Sequence, residues 1–277
     1  MAHDCCEVVQ ERVQEGDRKV VLAGNPNVGK SAVFHALTGV YVEVSNYPGT
    51  TVDISSGRMG QRNVVFDTPG VYGVSAFNDE ERVAREVILA ADVVINVVDS
   101  AHLDRDLFLT LQLIDMGFPV VVALNLMDEA KANGLAIDVK KLSDILGVEV
   151  VPTIAVKNQG IDALKAALDL ARPGRRTDSI VRRLPAGIEN PSEALMVLEE
   201  DEEICQKLNI APGGQREEIY RLRRERADEI INEVVSETNS GATFAVKLSR
   251  FSLHPLGGLV LLLAFLVLMY QIMGVWL

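Results

Sequence analysis

The stretch that decides the fold is Gly24–Gly39, GNPNVGKSAVFHALTG. Its first eight residues fit the spacing G-x-x-x-x-G-K-[ST]. It follows a short apolar run, Asp17–Ala23 (DRKVVLA), that reads as a buried strand, and it opens a helical pattern over Lys30–Leu37. Strand, glycine-bounded loop and helix in that order make a cradle for phosphate. Gly24 and Gly29 let the chain curl so that backbone N–H groups point inward. Lys30 then places an ammonium on the outer phosphates, the Ser31 hydroxyl is set to ligate Mg2+, and the helix adds the positive end of its dipole. Gly24, Asn25, Pro26, Asn27, Val28, Gly29, Lys30, Ser31 and Ala32 are the candidate phosphate-binding residues.

Downstream, apolar runs alternate with helical patterns. Arg62–Asp67, Asp92–Asp99, Pro119–Asn125 and Val148–Ile154 read as strands, and Asp79–Leu89, Leu103–Met116, Asp138–Leu146 and Ile161–Leu170 as helices. Strands of continuous Val and Ile separated by helices predict an α/β fold, a mostly parallel sheet covered on both faces. Val52–Met59 (VDISSGRM) alternates more and reads as part of an antiparallel edge hairpin.

Three further motifs fall at or between strand ends. DTPG, Asp67–Gly70, closes one strand: Asp67 can hold Mg2+ through a water, and the Gly70 N–H can reach a γ-phosphate, with Thr68 and Pro69 between them. NLMD, Asn125, Leu126, Met127 and Asp128, closes another. The Asp128 carboxylate can accept two hydrogen bonds from the N1 and N2 hydrogens of guanine, which adenine does not offer. Between phosphate loop and DTPG lies PGTTVD, where Thr50 or Thr51 can sense the γ-phosphate and Mg2+. Four motifs in this order, each in its structural context, read as a guanine-nucleotide switch.

The composition changes after Ala171–Arg176 (ARPGRR). From Pro191 to about Asn239 there are no strand-like runs, and Ile219, Leu222, Ala227, Ile230, Ile231, Val234 and Val235 form an apolar stripe, as expected for a small helical bundle. The acidic run Glu199–Glu203 reads as a solvated helix face, with a cation site as the other reading. Leu256–Leu277 carries no charge and is long enough for a helix that crosses a bilayer; Lys247 and Arg250 precede it, and Tyr270 and Trp276 suit an interfacial level.

A chain of 277 residues with a formal net charge of -12 has room for one sizeable α/β domain and a smaller one, and its acidity argues against a nucleic-acid partner. Three cysteines, Cys5, Cys6 and Cys205, make no disulfide framework. His3 with Cys5 and Cys6 could bind a metal, but on a chain terminus. The charged first twenty residues show no signal peptide.

GNPNVGKS, VSNYPGTTVD, DTPGVY, NLMD and the HPLGG that leads into the apolar tail together resemble the cytoplasmic N-terminal part of the ferrous iron transport protein B family. The resemblance covers nearly the whole chain. It implies a Ras-like P-loop GTPase fold over 17–172 after an N-terminal tail (1–16). Beyond lie a small all-α domain over 173–245, similar to a guanine-nucleotide dissociation inhibitor, and a juxtamembrane segment with the first transmembrane helix over 246–277. On that reading the chain is a piece of a longer transporter. The implied ligands are GTP or GDP, Mg2+ held by Ser31, Thr51 and Asp67, and a K+ ion bound by Asn27. Lys30, Asn27, Thr51 and Gly70 would take part in hydrolysis, and Thr153 and Ala155 would line the base pocket. Further implied are Fe2+ handled by membrane segments absent from this chain, the lipid bilayer, small cytoplasmic accessory proteins and self-association of the chain. The location implied is a bacterial inner membrane with the N-terminal domains in the cytoplasm.

Three positions depart from the family. Ile154 stands where many members have serine in the base loop, Ala227 follows Arg226 where tyrosine is usual, and Thr50 replaces an aliphatic residue. Val71 follows Gly70 where many Ras-like enzymes have glutamine, and valine cannot orient a water. The competing reading, a GTPase of ribosome assembly or RNA modification, calls for a basic RNA-binding module, whereas the added segment here is acidic and helical.

Overall fold

The computed structural model describes residues 13–39, 43–46, 52–75, 78–237, 252 and 255–275. Thr50, Thr51, His3, Cys5, Cys6, Lys247, Arg250 and Trp276 lie outside them. At the centre is β1 (Arg18–Ala23), which pairs in parallel with β4 (Asn63–Asp67) on one side and β5 (Val93–Asp99) on the other. Parallel β6 (Pro119–Asn125) and β8 (Glu149–Pro152) extend the sheet beyond β5. Beyond β4 lie antiparallel β3 (Asp53–Met59) and β2 (Glu43–Asn46), so the order is β2-β3-β4-β1-β5-β6-β8, with the two-residue β9 (Arg172–Pro173) beside β6. β3 pairs with β4 as the alternation in Val52–Met59 predicts, but the edge is β2.

Side chains alternate across a strand, so β1 feeds two cores. Val20 and Leu22 join the apolar cluster under α1 (Lys30–Thr38) and α6 (Ile161–Ala167). Val21 and Ala23 join the other, under α2 (Asp79–Leu89), α3 (Leu103–Asp115) and α5 (Val139–Leu146). The expected helix over Ile161–Leu170 narrows to a 3-10 turn from Leu168. Among the elements that were not expected are α4 (Met127–Ala132) and β7 (Leu135–Ile137), each too short to show a period.

After α7 (Asp178–Val181) come α8 (Pro191–Leu198), α9 (Glu202–Leu208) and the long α10 (Arg216–Val234). The apolar stripe read from the sequence is the buried one: Ile219, Ala227, Ile230 and Val234 sit in the same cluster as Val21 and Ala23. The helices thus share a core with one face of the sheet. The expectation that this segment holds no strand is corrected by β10 (Val235–Glu237), which pairs antiparallel with β7, Val235 opposite Ile137.

The solvated reading of Glu199–Glu203 holds for Glu202 and Glu203, which are exposed, and is corrected at Glu199 and Asp201. Glu199 and Asp201 are buried, at 0% and 3% exposure. Arg223, itself fully buried, donates to Glu199 Oε1 at 2.6 Å, and Arg85 donates to Asp201 Oδ2 at 2.7 Å and to Glu203. Arginine on the neighbouring helices draws Glu199 and Asp201 out of water and pairs them in the interior. Among the described residues no cluster of three or more His, Cys, Asp or Glu could hold a metal ion, so the cation reading gains no support there.

The last helix, α11, runs from Pro255 to Val275. Among the described residues no helix is long and apolar enough to cross a membrane. The membrane helix expected from the sequence is not established by the fold.

Candidate nucleotide site

The loop between β1 and α1 is shaped by contacts that leave no room for side chains. A Cβ on Gly24 would come within 2.4 Å of the Val97 carbonyl oxygen, and one on Gly29 (φ 87°) within 2.5 Å of Asn125 Nδ2. Asn27 also adopts a positive φ, 66°, and is exposed at the loop's mouth, while Asn25 and Val28 beside it are buried. The turn expected to present backbone N–H groups to a phosphate is therefore built into the packing of β1 against β5 and β6.

Lys30 is buried, and its Nζ donates to the carbonyls of Gly24 at 3.2 Å and Asn25 at 3.3 Å. Burial pushes its ammonium below the ordinary lysine value, and the carboxylates of Asp67 and Asp106 oppose that shift. A buried ammonium held by neutral carbonyls, with no carboxylate hydrogen-bonded to it among the described residues, is ready for an anion. Ser31 Oγ donates to Asp67 Oδ2 at 3.0 Å, so the structure brings together two of the three residues expected to hold Mg2+; the third, Thr51, lies outside the described residues. Asp67 Oδ1 is buried with no hydrogen-bond partner among the described residues, and burial raises the carboxyl's pKa above its usual range, opposed by Ser31, Lys30 and His35. Two hard oxygens with an unused lone-pair site fit a small divalent cation.

The stretch from DTPG onward, Asp67 to Ser75, corresponds to the second switch of such a fold and begins against the phosphate loop. A Cβ on Gly70 would meet Pro26 Cα at 2.8 Å. The Val71 N–H donates to the Gly24 carbonyl at 3.1 Å, and its side chain is buried. Val71 is thus committed to the core and to the loop, with nothing to offer an attacking water. Thr68 is buried too, its hydroxyl donating to Leu22 O at 2.7 Å, which makes it a strut and turns its side chain away from any ligand.

The base loop is tied to the phosphate loop by Asn125. Its Nδ2 donates to Val28 O at 3.0 Å, and its Oδ1 accepts from Ala155 N–H at 3.0 Å and Thr153 Oγ1 at 3.2 Å. Asn125 and Thr153 are therefore bracing residues, and the Ala155 N–H expected to meet the base is shared with Asn125. Leu126, at φ 60°, turns the chain so that Asp128 stands in the first turn of α4. Asp128 Oδ2 accepts from Lys157 Nζ at 2.7 Å. That hydrogen bond holds its carboxyl below the usual carboxylate range. Lys157→Met is expected to return the Asp128 carboxyl toward its ordinary pKa, read by carboxyl-carbon NMR titration; an unmoved pKa would refute the pairing in solution.

Sequence reasoning did not find Lys157, Asp106 or the buried pair Glu199–Arg223. The last reaches the second switch: Glu199 Oε2 accepts from Ser75 Oγ at 2.8 Å and from Gln112 Nε2 at 2.5 Å, while Gln112 Oε1 accepts the Val74 N–H at 2.8 Å. No spacing rule links residues 124 positions apart, and each alone looks like an ordinary surface polar residue.

The family model described as ferrous iron transport protein B matches residues 18–168. The Fe(2+) transporter FeoB of Legionella pneumophila (strain Paris) is 46% identical over 157 residues, 53% of this chain and 21% of that protein. The chain spans about a fifth of the length of the curated relatives it matches. Among solved structures, the cytosolic domain of L. pneumophila FeoB superposes with a TM-score of 0.72 at 32% identity, covering 79% of this chain and 100% of that one. The cytosolic domain of the T. maritima FeoB iron transporter in its GMPPNP form gives a TM-score of 0.69 at 31% identity, with 79% and 100% covered. The mostly parallel sheet is accordingly of the Ras-like GTPase type. By its motifs, its fold and its match over more than half its length, the chain belongs to the ferrous iron transport protein B family.

Proposed function

We propose that this chain binds GTP and GDP, hydrolyses GTP slowly, and serves as the regulatory GTPase region of a Fe2+ transporter. The observation that carries it is the convergence of Lys30, the Ser31–Asp67 pair and the Gly70–Pro26 contact at the ends of β1 and β4, with Asp128 presented by the loop after β6. The L. pneumophila and T. maritima proteins, by their descriptions, are iron transporters with a cytosolic domain, and the T. maritima domain binds GMPPNP.

In this reading the backbone N–H groups of Gly24–Ser31 and the Lys30 ammonium receive the β- and γ-phosphates, moving Lys30 off the Gly24 and Asn25 carbonyls. Ser31 and Asp67 would hold Mg2+, with Thr51 as the third candidate. When bound, that ion neutralises charge developing on the transferred phosphoryl group. The Gly70 N–H approaches the γ-phosphate, and Asp128 reads guanine. Val71, buried and apolar, leaves water positioning to backbone groups, and a cation held at Asn27 would stabilise transition-state charge. Hydrolysis is expected to be slow and faster in K+ than in Na+, measured as phosphate release from GTP. Equal rates in the two salts, or undiminished K+ stimulation in Asn27→Ala, would refute the cation role.

The domain reading follows the same boundaries as the sequence: 1–16 tail, 17–172 GTPase, 173–245 helical regulator, 246–277 membrane-proximal. Glu199, tied to Ser75 of the second switch on one side and Arg223 of α10 on the other, supports a helical segment that responds to the nucleotide. Attachment to the bacterial inner membrane, with the nucleotide site in the cytoplasm, is supported by α11. Leu259, Val260, Phe265, Leu266 and Val267 along it are each more than half exposed, an apolar surface that needs covering. Accessory proteins and self-association belong to this proposal only as what the family implies.

A further inference from the structure

Behind the phosphate loop sits a carboxylate with no direct line to any expected ligand. Asp106, on α3, is 2% exposed and lies 81 positions from the loop it touches. Its two oxygens accept three hydrogen bonds: Oδ1 from Asn25 Nδ2 at 2.6 Å and from Arg105 Nε at 2.7 Å, Oδ2 from the Asp99 N–H at 2.8 Å. A buried charge is tolerable only when satisfied in this way, and bonds to an ionised acceptor are the strong ones. One turn on, Thr110 Oγ1 donates to Asn96 Oδ1 at 2.5 Å, and Asn96 Nδ2 donates to the Ala23 carbonyl at 3.3 Å. The start of α3 thus grips the end of β1 and the first residues of the loop through fixed polar contacts.

Asn25 is where that grip meets the phosphate site. It is 1% exposed, and its own carbonyl is one of the two that hold Lys30. Pro26 comes next, lying so close to Gly70 that no Cβ fits between them, and then Asn27. A displacement of Asn25 would therefore move Lys30, the Gly70 spacing and the Asn27 side chain together. We propose that Asp106 is a positioning residue for phosphate binding: acting through Asn25, its carboxylate holds the phosphate loop in the shape that receives the nucleotide. This inference rests on the guanine-nucleotide reading above. It differs from a merely structural carboxylate in a specific way. Donors held in place before the ligand arrives need no reorganisation on binding, so loss of Asp106 must weaken contacts to phosphate and spare contacts to base.

Asp106→Asn keeps the shape of the side chain but sets an amide N–H2 where an acceptor is needed. In the 277-residue chain it is expected to weaken GDP binding by about ten- to a hundredfold, the scale of one hydrogen bond to a charged group, while guanosine, competed against a fluorescent GDP, binds as in the wild type. In an Asn25→Ala background the same substitution is expected to add less than about twofold, since both act on one contact. Should Asp106→Asn fail to fold, Asn25→Ala alone carries the same comparison of GDP with guanosine. Equal losses for GDP and guanosine, no loss for GDP, or additive effects in the double variant would each overturn the proposal. A wild-type chain that does not retain GDP would remove the nucleotide reading and this inference with it; a wild type that binds GDP beside an unaltered Asp106→Asn removes the inference alone.

Discussion

Asp128→Asn is expected to lower GDP affinity by at least about a hundredfold, with little change in the folded state. Asp128 stands half exposed in the first turn of α4, braced by Lys157, so its replacement disturbs no core. The loss comes from chemistry. A carboxylate accepts from both the N1 and N2 hydrogens of guanine, whereas an amide offers one acceptor and turns a donor against the other hydrogen. Sites built around such a pair discriminate by large factors because the mismatched polar groups are left unpaired. Equilibrium binding of fluorescent GDP reads the effect. The same variant in the full-length protein is expected to fail to restore Fe2+ uptake to cells lacking their own transporter, and unchanged uptake would falsify coupling between base recognition and transport.

Arg223→Ala is expected to remove about 3–5 kcal/mol of folding stability, the cost of stranding a buried charge by deleting its partner. Arg223 and Glu199 are both fully buried, 2.6 Å apart, and Asp115 lies 3.6 Å from Arg223 Nε with its own oxygens taken by Thr177 N–H at 2.7 Å and Thr177 Oγ1 at 3.1 Å. Arg223 also lies over the Phe108 ring, 5.0 Å from its centroid, so truncation opens space as well as removing charge. Urea denaturation of the chain measures the loss. A change of less than about 1 kcal/mol, the scale of an exposed pair, would mean that water reaches Glu199 and that the helices are not locked to the sheet. Because Ser75 and Gln112 share the same carboxylate, Glu199→Gln is the milder companion: it keeps the shape and removes the charge.

Long runs with a strong period were legible. The run Asp92–Asp99 is realised as β5, Val93–Asp99, with every residue of the strand buried, and Asp79–Leu89 is a helix with the same ends in sequence and structure. The stripe on α10 was legible for the same reason, because apolar residues at helical spacing can bury only one face. What failed was short or long-range. α4, β7 and β10 hold six, three and three residues, too few for a period to emerge. Whether an acidic run faces water depends on what packs over it: Glu199 and Asp201 look solvated in the sequence and are buried because Arg223 and Arg85 arrive from other helices.

The same division runs through the site. The sequence alone determined the groups proposed to touch nucleotide, since loop, switch and base motifs each require particular residue types at close spacing: glycines where no Cβ fits, a lysine and a serine at the helix start, an aspartate after a strand. Only the tertiary structure decided what holds those groups still. Asp106 beneath Asn25, Lys157 on Asp128, and Glu199 between Ser75 and Arg223 are brought together by the packing of helices on a sheet, and their spacing along the chain carries no trace of it. Ligand chemistry constrains neighbours in sequence, whereas support can come from any element that reaches the site.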